Sequence, residues 1–115
     1  MAGRKAEPIV ARRLREARTA AGLSQRELGV RAGMDPSVAS PRINQYERAK
    51  HLPDPGTLER LGRVLSCPLP FFYTSDDELA SQILAFHFAT DEERKRLATM
   101  ALRIVRRSGA QRRAE

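Results

Sequence analysis

Apolar residues recur at helical spacing along almost the whole chain, and the interruptions are made of capping residues, prolines and glycines. That pattern leaves little room for anything but helices. No segment alternates apolar and polar residues over a strand's length. No Asn-Gly or Asp-Gly pair stands between apolar runs. The fold read from this is all-α.

A first helix is predicted from Pro8, with Val10, Leu14, Ala17 and Ala21 on one stripe and Arg12, Arg13, Arg15 and Arg18 outside it. Proline suits a first turn because its missing N–H has no partner there, and Gly22 suits the C-terminal cap. Ser24 and Glu27 have capping-box spacing for a second helix ending near Ala32, with Leu28 and Ala32 buried and Gly33 closing it. Two cap-plus-proline pairs follow, Asp35-Pro36 and Ser40-Pro41. A proline inside one continuous helix costs about 3 kcal/mol. The sequence therefore predicts a short turn at Asp35-Pro36, a break, and a helix from Pro41 to about Arg48. On that helix Ile43 and Tyr46 face the protein core; Arg42, Asn44, Gln45 and Arg48 do not.

Pro53-Asp54-Pro55 marks a rigid loop before a fourth helix with Leu58, Leu61, Val64 and Leu65 as its stripe. Pro68 and Pro70 bracket a turn that delivers Phe71 and Phe72 to the core. Two further capping boxes are read at Ser75–Glu78 and Thr90–Glu93, opening helices through about Phe88 and about Arg107. The last of these carries a stripe of Leu97, Met100, Ala101, Ile104 and Val105, and Gly109 to Glu115 reads as a disordered tail. The chain thus divides into a domain over 8–73, C-terminal helices over 74–108 and a tail over 109–115.

Charge narrows the partners. The 115 residues carry 21 Lys and Arg against 14 Asp and Glu, a net charge of +7. Residues 1–50 hold a net +6, residues 51–89 a net −3 and residues 90–115 a net +4. Concentration at the ends fits one face meeting a polyanion, although solvated arginine-rich helix faces give the same numbers. No apolar run approaches the ~20 residues of a membrane span, and no apolar stretch follows Arg4 and Lys5 as it would in a signal peptide. Basic helix faces without bulky apolar anchors also argue against a membrane surface. The lone Cys67 excludes an internal disulfide and a cysteine-based zinc site. A cytoplasmic location is expected, with no membrane partner. There is no nucleophile–base set, no metal-ligand cluster and no phosphate-cradling glycine loop, so neither an enzyme nor a cofactor is expected.

Several positions agree in order and spacing with one family. Gly22-Leu23-Ser24-Gln25, Leu28-Gly29, Ala32 and Gly33, then Ile43, Tyr46-Glu47-Arg48 and Pro53, then Leu58, Leu61, Leu65, Pro68 and Phe71-Phe72 resemble the phage-repressor-like (Cro-like, XRE) helix-turn-helix family over about residues 8 to 73. The resemblance implies a five-helix repressor-like DNA-binding domain, here with a C-terminal helical extension, acting as a homodimer on double-stranded DNA with palindromic half-sites about one helical turn apart. It departs from the family in one place. Ile43 stands ten positions after Gly33, where the family usually places its isoleucine about six positions after the turn glycine.

Side-chain chemistry on a recognition helix follows from base edges: Arg pairs with guanine, and Asn or Gln with adenine. Arg42, Asn44 and Gln45 are therefore the candidate base readers, with Ser37 within reach from the preceding turn. Gln25 and Arg26 at the start of the second helix suit phosphate, as do Arg48 and Lys50 after the recognition helix. Arg12, Arg13 and Arg15 add positive surface. Asn44 has a local helix-holding role as its alternative. Glu47 is expected to pair internally with an arginine of the first helix rather than to face DNA. Leu97, Met100, Ala101 and Ile104 are the candidate dimerisation residues; the alternative has that helix folding back on its own core. Two functions fit: a transcriptional regulator, such as a repressor, or an antitoxin that binds DNA and a partner toxin protein through its C-terminal part.

Overall fold

The computed structural model describes residues 8–114; Arg4, Lys5 and Glu115 lie outside them. The described residues form seven helices: α1 (Ile9–Ala20), α2 (Gln25–Arg31), α3 (Pro36–Glu47), α4 (Pro55–Leu65), α5 (Leu69–Phe72), α6 (Asp77–Phe88) and α7 (Asp91–Ala114). No strand occurs among the described residues. The first five helices close around Val10, Leu14, Leu28, Ile43, Leu58, Leu61, Leu65, Phe71 and Phe72, and Ala80 of α6 touches the same core. Phe71 and Phe72 meet edge to face at 5.4 Å, so the Pro-bracketed turn delivers both rings inward.

Local chemistry explains most boundaries. Ser24 accepts from the Glu27 N–H while Glu27 accepts from the Ser24 N–H, a complete capping box. Thr90 and Glu93 repeat it at the head of α7. The box expected at Ser75 is absent: Asp76 caps α6 instead, accepting from the Glu78 and Leu79 N–H groups, because a carboxylate one residue later reaches the same donors. Gly33 takes φ +98 where α2 turns into α3. There the Met34 N–H bonds to the Gly29 carbonyl and the Gly33 N–H to the Val30 carbonyl. Ala49 makes the equivalent turn after α3 at φ +58, with the Lys50 N–H on the Gln45 carbonyl.

The expected break at Pro41 does not occur. Pro36 to Glu47 is one helix, capped by Asp35 and carrying Pro41 in its interior. Ala39, Ile43 and Glu47, each four residues apart, are all buried. Burying an isoleucine alone contributes about 1.5–3 kcal/mol, so packing on both sides of Pro41 offsets its local penalty. The additional residues between Gly33 and Ile43 lengthen α3 by about a turn rather than forming a separate one.

Three further expectations change. Ala21 is an exposed cap residue, not part of the buried stripe. Arg13, expected outside, is 4% exposed. Its Nε donates to the Thr74 carbonyl at 2.9 Å, its guanidinium lies 5.3 Å from the Phe71 ring centre, and Nη2 is 2.9 Å from Asp77. Finally, α7 remains helical through Ala114, where a disordered tail from Gly109 was expected. Cys67 packs against the core, and burial pushes its thiol above the usual range.

Candidate nucleic-acid interface

The α2–α3 unit is built on one close approach. A Cβ placed on Gly29 would lie 2.7 Å from Ala39 Cβ, so only glycine lets the two helices come this near. Behind them sits a polar clamp. Arg18 of α1 donates from Nε to Glu47 Oε2 at 2.6 Å and from Nη2 to Oε1 at 3.0 Å, and its Nη1 donates to the Leu23 carbonyl. Gln25 Nε2 donates to Asn44 Oδ1 and to Glu47 Oε1, both at 3.2 Å. The Glu47 hydrogen bonds hold the Arg18 guanidinium above its ordinary pKa, against the opposing effect of burial. One clamp therefore fixes α1, the start of α2 and the end of α3 relative to one another. It also neutralises the carboxylate at the end of α3.

Helical phase then sets the outward face. Opposite Ala39, Ile43 and Glu47 lie Val38, Pro41, Arg42 and Gln45, spaced i, i+3, i+4 and i+7, with Ser37 at the edge. All five are exposed. Arg26, Arg42, Arg48 and Lys50 are exposed and have no carboxylate partner among the described residues. Ser37 donates to Asp35 at 2.6 Å, and these hydrogen bonds hold the Asp35 carboxyl below its usual range.

The expected site residues thus separate into two groups. Ser37, Arg42 and Gln45 share the outward face of α3, flanked by Arg48 and Lys50, with Arg26 exposed on α2. Gln25 and Asn44 turn toward each other and Glu47, so Asn44 holds the helix and Gln25 spends its amide donor inside the clamp. Glu47 pairs internally with an arginine of the first helix, as expected. Val38 and Pro41 were not anticipated on this face. The signal that locates them is the four-residue spacing of Ala39, Ile43 and Glu47, which sets the phase of the whole helix. Arg12 and Arg13 are not free positive surface: both reach Asp77, and Arg12 also reaches Glu16 and the Ser75 carbonyl. They tie α1 to the start of α6.

Residues 9–70 match the helix-turn-helix domain family. The chain belongs to that family. A solved structure described as that of the transcriptional regulator BswR is 43% identical, with a TM-score of 0.74. The match covers 81% of this chain and 92% of that one, so it extends beyond residues 9–70 of the helix-turn-helix protein into the C-terminal helices. No curated protein matches the chain. None of the described helices of the helix-turn-helix protein is long and apolar enough to cross a membrane.

Proposed function

We propose that this DNA-binding transcriptional regulator acts in the cytoplasm as a homodimer, reading a palindromic operator through α3 and pairing through α6 and α7. The observation that carries the DNA-binding part is the outward face of α3. Arg42 and Gln45 stand on it with Ser37 at its N-terminal edge, unpartnered cations flank it, and the only buried acid of the helix is neutralised from behind. Arg42 and Gln45 read bases, while Arg26, Arg48 and Lys50 meet phosphates. Gln25 and Asn44 serve by positioning α2 and α3.

Support for pairing comes from α7. This 24-residue helix has no buried residue, and Leu97, Met100, Ile104 and Val105 are all at least 43% exposed. Leu97 and Ala101 line an open groove with Gln82, Ala85 and Phe86 of α6. An apolar stripe of this length is stabilised by burial against another surface, and a second copy buries the same stripe on both chains.

Unbiased selection of DNA is the direct test. Specific binding should exceed random-DNA binding by ~10³ or more, with affinity falling steeply as salt rises. Selection that enriches no sequence would refute the reading. Met100→Asp and Ile104→Asp should each convert a dimer to a monomer by sedimentation and weaken operator binding. Unchanged mass would refute the pairing surface.

A further inference from the structure

Pro41 has no explanation in the fold. It removes the N–H that would bond to the Ser37 carbonyl, so the helix loses an interior hydrogen bond. Its ring is exposed and contributes nothing to the core. Val38, one turn earlier on the same face, is 37% exposed and also outside the core. Two aliphatic side chains therefore stand side by side in the middle of an otherwise polar outward face, between Ser37 on one side and Arg42 and Gln45 on the other.

On a helix that docks in a major groove, the floor offers one apolar group. It is the C5 methyl of thymine, and 5-methylcytosine presents the same methyl at the same position. We propose that Val38 and Pro41 form a methyl-reading step, which makes operator binding depend on a pyrimidine 5-methyl group within one or two base pairs of the guanine met by Arg42. This inference rests on the DNA-reading role of α3. It adds a chemical selectivity that the polar residues of that face do not supply, and it makes binding responsive to cytosine methylation.

The test uses the full-length chain and the operator recovered by selection. Each thymine is replaced in turn by deoxyuridine, which deletes only the methyl, and affinity is read by fluorescence anisotropy. At one or two positions per half-site the replacement should weaken binding about three- to fivefold, the amount expected for one buried methyl. Val38→Ala and Pro41→Ala should weaken binding to the thymine operator by a similar factor and become indifferent to deoxyuridine there. Gln45→Ala should keep the deoxyuridine effect at that position. Pro41→Ala replaces a helix breaker with the best helix former, so thermal unfolding should move upward and its loss of affinity cannot come from unfolding.

A second arm replaces the sensitive thymine pair with a cytosine pair, with and without the 5-methyl group. Methylation should restore about threefold of the affinity lost. Indifference to methylation, with deoxyuridine still discriminated, would overturn the cytosine half and leave thymine as the group read. Specific binding with no sensitive thymine, or with Val38→Ala and Pro41→Ala still fully sensitive, overturns the inference while leaving α3 as the reading helix. Failure to select any DNA sequence overturns both.

Discussion

Gly29→Ala is the sharpest test of how this molecule holds α3 against α2. The added methyl carbon would lie 2.7 Å from Ala39 Cβ, 3.1 Å from Ala39 Cα and 3.2 Å from Met34 Sδ. Relaxed carbon–carbon contacts sit near 3.5–4.0 Å, so α2 and α3 must separate by roughly 1 Å. The Met34 sulfur is the far end of a flexible chain and can move, but the Ala39 backbone cannot move without moving α3. Overpacking of this kind costs about 1–3 kcal/mol, while alanine in place of a helical glycine returns about 1 kcal/mol. Net destabilisation of up to about 2 kcal/mol is expected in urea unfolding with an unchanged slope. Operator affinity should fall by more than the stability does, because α3 shifts relative to the phosphate contacts proposed for α2. Adding Ala39→Gly makes room for the methyl from the other side. The double variant should therefore be more stable than the two single effects predict, with a coupling of about 1 kcal/mol or more. If Gly29→Ala proved as stable as the parent and bound the operator equally well, the close approach would not be what positions α3.

Glu47→Ala leaves the Arg18 guanidinium half-buried with only the Leu23 carbonyl, and Gln25 loses one acceptor. A loss of about 3 kcal/mol is expected, near the low end for breaking a buried ion pair because Arg18 keeps some access to water. Chemical unfolding of the variant checks it. Ala49→Gly relieves the left-handed backbone after α3 and should raise stability by about 1 kcal/mol in the same assay.

Acid should unfold the protein through its caps and ion pairs. Backbone and hydroxyl hydrogen bonds from Thr57 hold the Asp54 carboxyl below its ordinary 3.8, and Arg13 and Arg12 do the same for Asp77. Their Ser24 and Thr90 partners hold Glu27 and Glu93 below 4.5. A carboxyl lowered in the folded state binds fewer protons there than when unfolded. Its stabilisation is complete above the ordinary value and disappears as pH falls through the folded one. The melting temperature should therefore hold steady from pH 7 to about 5 and drop below about 4. Asp54→Asn keeps an N-cap acceptor and should make that drop shallower.

Much of the fold was legible because helices advertise themselves locally. Capping boxes at Ser24 and Thr90 and the Leu58, Leu61, Leu65 stripe depend on residues within one or two turns of each other. That Arg42, Gln45, Arg48 and Lys50 lie outside the core was legible from helical spacing and order alone. Gln25 and Asn44 could not be placed that way. A free amide suits a base edge as well as a neighbour's side chain, and 19 residues separate these two.

What the sequence determines by itself, then, is the all-helical class, the capping boxes at Ser24 and Thr90 and most of the apolar stripes that must face inward, because each follows from spacing of three or four residues. Tertiary structure decides the rest. Pro41 stays inside α3 because Ala39 and Ile43 are buried on either side of it. Arg13 is buried because Thr74 and Asp77, more than sixty residues away, supply its partners. A proline's local penalty and an arginine's wish for water are both visible in a short stretch of chain. The distant contacts that outweigh them are not.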